Sequence, residues 1–484
     1  MFLGASIIVA CSSFMSSGCA FQSVSGKPAQ SVQRYPAMVD LVQGSAVRFS
    51  LNADPVQMPA SRCTWKVGDS SILSSRGNGE FVGTAVGSSS VTATCDGMST
   101  SSSVLVSPTS NPTSITITSG GTYSGTWSST DPKVPAVTVI TNEPVVLRNS
   151  TLTSRGDLII VYGHDGGANV TIENVTGTAL DPGVAGRAKG KFVGAEVLAN
   201  LSVTHCTMHN VSFGVYVAAS TQLKSLLIKD NVADNLDDRK SDGNGGYLLN
   251  QRELGHFIQL GGVAALNGGE ISWNRAINLD GEASNEDLLS FYGSRGTADK
   301  NINIHDNYLE GAIATGQTTP YTGTGIQTDG DFNDPSLATG FLRIYNNTVV
   351  HLAGSGISIG AGHDISVTRN RIVSCGKDSA GNWITNLGST ALVMLNYYKT
   401  NQYFNNFIAN NSGGVITPDD AGKPVPGDSY IPSVSGSLHN IVTSNVFEQP
   451  CLANSDINLA AELFERDRWS KTAFLAGELL GDRH

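Results

Sequence analysis

The sequence predicts an all-β protein, most of it a solenoid of about ten stacked coils, with a small β-sandwich in front. Three observations carry that expectation. One phrase, clearest in Ile302-Asn-Ile-His-Asp-Asn-Tyr-Leu309, recurs along the chain. Its copies align on Asn149, Asn174, Cys206, Asn231, Asn274, Asn307, Asn347, Asn370, Asn406 and Asn445, at closest 23 to 25 residues apart. Inside each copy apolar and polar residues alternate, the period of a strand with one buried face. Repeats of this length that contain strands stack as coils, each covering the apolar face of the next.

The Asn has a physical reason to recur. It tolerates the left-handed backbone of a tight corner, and its amide can bond its equivalent one coil on. A second strand follows many corners: Gly214-Val-Tyr-Val217, Phe257-Ile-Gln-Leu260, Leu288-Leu-Ser-Phe-Tyr292, Gly325-Ile-Gln-Thr-Asp329, Gly356-Ile-Ser-Ile359, Leu392-Val-Met-Leu395 and Gly414-Val-Ile-Thr417. Taken together, residues 114–450 resemble the right-handed parallel β-helix proteins of the pectate-lyase-like superfamily. The long insertions, 234–255, 317–325 and 417–433, fall between core phrases and are expected as outer loops.

Ahead of the coils, residues 35–106 alternate short strands such as Cys63-Thr-Trp-Lys-Val67 and Val91-Thr-Ala-Thr-Cys95. The run Phe81-Val-Gly-Thr-Ala-Val-Gly87 followed by Val91-Thr-Ala93 resembles the bacterial group 2 immunoglobulin-like domain. Cys63 and Cys95 are the expected disulfide there, closing a loop of about 33 residues for roughly 3–4 kcal/mol. Residues 107–113 read as a linker. Residues 451–484, with Leu459, Leu463, Trp469, Phe474, Leu475 and Leu479 at helical spacing, read as a helical C-terminal cap. Cys206 is expected as a buried thiol. Cys375 and Cys451 stand two coils apart, at ~4.8 Å per coil too far for a bridge unless a loop folds back.

Composition and address agree with an exported β protein. The 484 residues include 54 Gly, only 15% are charged, and the net charge is −11. That charge disfavours a nucleic-acid partner. Residues 1–19 read as a signal peptide: positions 2–15 are apolar, uncharged and too short to span a bilayer. Ser16-Ser-Gly-Cys19 is similar to a bacterial lipobox, making Cys19 the lipidation candidate, with Cys11 the alternative. Residues 20–34 would tether the protein to an outer membrane; cleavage and release is the other outcome. A monomer is expected.

The candidate chemistry lies on the outward side of the second strands. Tyr216, Gln259, Ser290, Tyr292, Gln327, Asp329, Ser358, Met394 and Asn396 would form rows one coil apart, with the residues between them inside. Hydroxyls, amides, carboxylates and rings in one row suit a sugar chain, although an exposed sheet must be polar in any case. Asp329, Asp331 and Asp364 are the candidate catalytic carboxylates, since two of them can act as acid and base on a glycosidic bond. Tyr292, Arg295, Gln327, His363, Gln259, Asn396 and Lys399 are the substrate-binding candidates. Gly356-Ile-Ser-Ile-Gly360 resembles the phrase near the catalytic His of polygalacturonase-type β-helix hydrolases, but the adjacent Asp pair and the Arg-x-Lys ending of that family are missing. A structural turn or a Ca²⁺ loop explains the Asp329–Asp334 run equally well; no other cofactor is indicated, and no zinc motif is visible. A polysaccharide lyase would use a base such as Lys399, Arg295 or His363, and a non-catalytic adhesin or scaffold would use the same face for binding. The Asp237-Asp238-Arg239-Lys240 run reads as a solvated loop.

Overall fold

The computed structural model describes residues 32–33, 38–44, 46–48, 51–53, 56–58, 63–77, 79–95, 98–107, 113–313, 322–385, 389–432, 439–453 and 456–478. The signal and lipobox residues, including Cys11 and Cys19, and most of the tether and linker lie outside them. The chain divides into two compact units, one up to residue 110 and one from residue 111 onward. Among the described residues no helix is long and apolar enough to cross a membrane.

In the first unit a four-stranded sheet joins Met38–Val42, Met98–Ser107, Gly87–Cys95 and Cys63–Val67, and a three-stranded sheet joins Ala46–Arg48, Glu80–Gly83 and Leu73–Gly77. Leu73, Phe81, Val91, Val104 and Val106 form one core between them. Trp65 packs on it, 5.8 Å from the Phe81 ring. Cys63 is disulfide-bonded and stands opposite Cys95 in register; the side chain of Cys95 lies outside the described residues.

The second unit is a parallel β-helix, as the repeat predicts. Each regular coil has three strands, so three parallel ladders run along it. In one coil these are Ile302–His305 (ladder A), Tyr308–Ala312 (ladder B) and Thr324–Asp329 (ladder C). Ladder C is an eleven-stranded sheet; ladders A and B meet at the Asn corner and together form the 21-stranded sheet. Alternate side chains such as Ile302, Ile304, Leu309 and Ile326 enter one continuous core.

The Asn column is real but differs from the expected one in detail. Seven amides run in series, Asn231, Asn274, Asn307, Asn347, Asn370, Asn411 and Asn445, each Nδ2 donating to the next Oδ1 at 2.8–3.0 Å. Asn411, not Asn406, holds the position between Asn370 and Asn445. Asn406 belongs to a separate pairing with Asn440 and Ile365. Nor does the ladder Asn itself take the left-handed backbone. The residue before it does, as at Asp230, Asp306, Asn346 and Asn410 (φ 54–57°). Asn149 and Asn174 are these corner residues (φ 46° and 52°). Ser150 and Val175 fill the inner slot there, in line with Cys206, whose amide bonds Asn231 Oδ1. Cys206 is a buried free thiol.

Four further expectations are corrected. Cys375 and Cys451 form a disulfide with Cα atoms 5.1 Å apart. After Phe447 the chain leaves the coils and folds back along their flank, which brings Cys451 to Cys375. Ser412–Pro418 pairs with Arg371–Ser374 in ladder B, so Val415 and Thr417 are not ladder C residues; Ser429–Tyr430 is that sheet's last strand. Met394 stacks on the inward Ile359, while Val393 continues the outward row from Ser358. The helix, Ala460–Ala476, lies along ladder B rather than over the end of the stack. It buries Glu462, Glu465, Trp469 and Ala473, while Leu463 and Phe464 stay exposed. Trp469 joins Trp273, Tyr308 and Val350 in a small core of its own.

Candidate functional site

Ladder C sets the site by register. Neighbouring strands align His256 with Asp287 and Thr324, Gln259 with Ser290 and Gln327, and Gly261 with Tyr292 and Asp329. Ile258, Leu260, Leu289 and Phe291 point into the core. The polar residues between them therefore face outward, within one or two coil spacings of ~4.8 Å.

Three carboxyls gather on this face: Glu286, Asp287 and Asp329. Asp287 is 3% exposed, and its Oδ1 accepts the Thr324 amide at 3.1 Å. The Glu286 side chain is 18% exposed, with Oε2 3.4 Å from His256 Nε2. Burial, and then the charge of Asp329, push Glu286 up to about 7. Burial and the charges of Glu286 and Asp329 hold Asp287 well above the carboxylate range. Burial also raises Asp329, against hydrogen bonds donated by Gln327 Nε2 (2.9 Å) and Tyr398 Oη (3.2 Å). His256 is held down to about 3, mainly by burial. It is neutral at neutral pH, so its contact with Glu286 is not an ion pair. Its Nδ1 lies 3.2 Å from the Asp287 carbonyl, which only a donor satisfies. That tautomer leaves the Nε2 lone pair facing Glu286, positioned to accept a hydrogen bond from its protonated carboxyl.

The expected loop of solvated charges supports this cluster from beneath. Asp237 and Asp238 are fully buried, because each holds cations: Asp237 takes Lys189 and Arg239, and Asp238 takes Arg252. Asp238 also accepts the Gly255 amide, next to His256.

Tyrosines border the carboxyls. Tyr292 donates to Asp331 Oδ1 at 2.9 Å and packs edge-on to Phe332. Tyr397 reaches Ser358 at 3.3 Å. Gly360 permits this: a Cβ there would fall 2.4 Å from the Tyr397 ring and 2.6 Å from the Gln327 amide. Asn396, expected as a ligand, ties its own turn together by accepting the Thr400 amide and donating to its carbonyl. It thereby presents Tyr397 and Tyr398. Lys399 is exposed on the same turn.

The structure brings together Asp329, Asp331, Tyr292, Gln327 and Gln259, sets Asn396 and Lys399 on the turn whose Tyr398 bonds Asp329, and engages His363, Asp364 and Arg295 in other contacts. His363 is 4% exposed, stacked on Phe404 at 4.8 Å and edge-on to Phe341; it is a packing residue with no open face for a ligand. Asp364 begins a ladder A strand, bound to His363 and Asn405. Arg295 lies past the corner, bridging Ala264 and Gly340, with Asp334 its charged neighbour. Sequence reasoning missed Glu286, Asp287, His256, Tyr397 and Tyr398. The last two carried a signal: they come within a few residues of the end of a ladder C strand, and Tyr292 ends one.

Two side-chain groups among the described residues have metal-like spacing. One, Cys375, Cys451 and Glu462, is consumed by the disulfide. The other is His256, Glu286 and Asp287, where the nearby Arg252 charge opposes a cation. The Asp329–Asp334 run does not converge as a Ca²⁺ loop would: Asp329, Asp331 and Asp334 serve Tyr398, Tyr292 and Ser336 separately. A cavity of about 460 Å³ opens elsewhere, on ladder A, among Lys224, Glu270, Asp299, Lys300 and Arg343, whose charges offset one another. No protein-family model matches the chain, and no curated protein matches it.

Proposed function

We propose that the protein cleaves a polysaccharide lying along ladder C, with Glu286 as the general acid and Asp329 as the second carboxylate. The observation that carries this is the Glu286 carboxyl, raised to about 7 by burial and by the charge of Asp329. An acid that keeps its proton near neutrality can give it to a glycosidic oxygen, while the second carboxylate stabilises or activates from the other side. Asp287 is too buried to touch substrate. The charge that favours retention of the Glu286 proton is that of Asp329. Open tyrosine faces suit the apolar faces of sugar rings.

The parallel β-helix supports kinship with the pectate-lyase-like superfamily, and the Cys63–Val67 and Gly87–Cys95 strands around Trp65 support the immunoglobulin-like reading of the first unit. The buried Cys375–Cys451 bridge suits an oxidising compartment. It thus favours export, with surface anchoring through Cys19. Fatty-acid labelling that persists unchanged in Cys19→Ala would refute that anchor.

A panel of polysaccharides, assayed for new reducing ends and for unsaturated uronates, tests the function. Reducing ends that disappear in Glu286→Gln and in Asp329→Asn are expected. Unsaturated products would instead establish a lyase. Binding without any product, in the wild type, would establish an adhesin.

A further inference from the structure

The outer face of ladder C is selective in charge as well as shape. Asp329 and Asp331 are its carboxylates, with Glu286 and Asp287 raised toward the neutral form by burial and neighbouring charge; of the cations nearby, Lys399 is exposed on the tyrosine turn and Arg252 is paired. Arg252 has its side chain 1% exposed and is bound to Asp238 through both Nε and Nη2. The aromatic borders remain open: Tyr292, Tyr397 and Tyr398 are 37%, 45% and 44% exposed. Because Tyr292 and Tyr398 hold Asp331 and Asp329 by their hydroxyls, each carboxylate sits at a ring's edge, beside the part of the ring that stays exposed. A carboxylate beside an open ring face attracts an ammonium group twice, by charge and by the ring quadrupole. The same pair repels a uronate. A second, independent feature points to a ligand. Ser290 is 97% buried (3% exposed), lies in the outward row between Gln259 and Gln327, and its hydroxyl has no hydrogen bond to any described residue. It is positioned for a sugar hydroxyl. The net charge of −11 adds long-range attraction for a polycation.

We propose that this face takes a glycan bearing free amino groups, with Asp331 and the Tyr292 ring receiving the ammonium of one sugar. This rests on the glycan reading above and narrows it to a substrate class. Asp331 stands outside the proton-transferring pair, so it sets specificity and not the chemistry.

The test uses the full chain carrying Glu286→Gln, titrated calorimetrically at pH 6 in EDTA. The probes are three hexasaccharides of one linkage: fully deacetylated 2-amino sugar, neutral sugar and uronate. The amino oligomer is expected to bind about tenfold tighter than the neutral one, the worth of one charge-assisted contact, and the uronate not to bind. Adding Asp331→Asn is expected to erase most of that preference while leaving affinity for the neutral oligomer within about twofold. Equal or tighter binding of the neutral or uronate oligomer overturns the proposal and leaves the glycan reading intact. Equal losses on both oligomers in Asp331→Asn, or binding only when a divalent cation replaces EDTA, also overturn it. No binding of any probe refutes both.

Discussion

Glu286 has a proton affinity that depends on named neighbours, and this gives it a signature in pH. As an acid it must be protonated to act, so activity is expected to be full well below pH 7 and to fall as pH rises through about 7. Glu286→Gln should lower kcat by roughly 10²–10⁴-fold, the usual worth of a general acid. Asp329→Asn removes a repelling charge, so the Glu286 titration, followed by carboxyl NMR, should move to lower pH; no movement would separate the two carboxyls. At this scale the sequence was half legible. Asp329 and Tyr292 could be found because each ends a strand with a clear alternation. Asn285-Glu286 enters its strand from an irregular connection, and only the folded coils bring it within electrostatic reach of Asp329. Asp237 and Asp238 read as solvated because two of their cations, Lys189 and Arg252, come from outside the run.

Among the structural elements, the amide column and the flanking helix carry separate stabilising duties. Asn307 accepts from the Asn274 amide and side chain and donates to Asn347 Oδ1 and the Ile271 carbonyl. Asn307→Ala leaves several buried groups unpaired, at about 1–3 kcal/mol each. A loss of about 2–5 kcal/mol in chemical denaturation is expected, against little change for the exposed corner residue Asn149. The column was legible because Asn is rare enough to align. Its phase was not, because Asn also suits the left-handed corner one residue earlier. Ala391-Leu-Val-Met-Leu395 hid its phase for another reason: an unbroken apolar run has no two-residue period to read. The helix is held by polar contacts that hydrophobic periodicity could not reveal. Arg466 pairs with Glu310, Arg371 with Glu465, and His351 bridges Asp280 and Glu462. Burial alone would lower the His351 pKa; the hydrogen bonds to Asp280 and Glu462 override it and raise it to about 10. A raised folded-state pKa stabilises fully below the unfolded value of about 6.5. That stabilisation is lost as pH climbs through about 10. Trp469 emission should therefore shift red between pH 7 and 10 as the helix loosens, and His351→Gln should abolish that dependence. Trp469→Ala should cost about 3–5 kcal/mol of helix docking.

Across the whole molecule, stability is that of neighbouring coils in a row, and the most protected amides are expected in the middle of the stack. Hydrogen exchange should rank the coil of Ile302–His305 and Tyr308–Ala312 above that of Ile441–Thr443 and Val446–Phe447. Equal protection in both would show that the stack unfolds only as one block. The Cys375–Cys451 bridge closes a separation of 76 residues, which on the chain-entropy model contributes about 4–5 kcal/mol. It was hidden at the sequence level because coil spacing describes residues on the coils, and Cys451 is on a segment that has left them.

That bridge also changes how the protein bears load. A chain pulled from its C-terminal end transmits tension through the shortest covalent path, which here crosses from Cys451 to Cys375 through the sulfurs. The coils between them are out of the force path. Stretching should leave roughly 250 Å of contour hidden, at about 3.3–3.6 Å per residue, until a reductant releases it. On a cell surface, the last coils would thus stay folded while the rest of the stack took the strain.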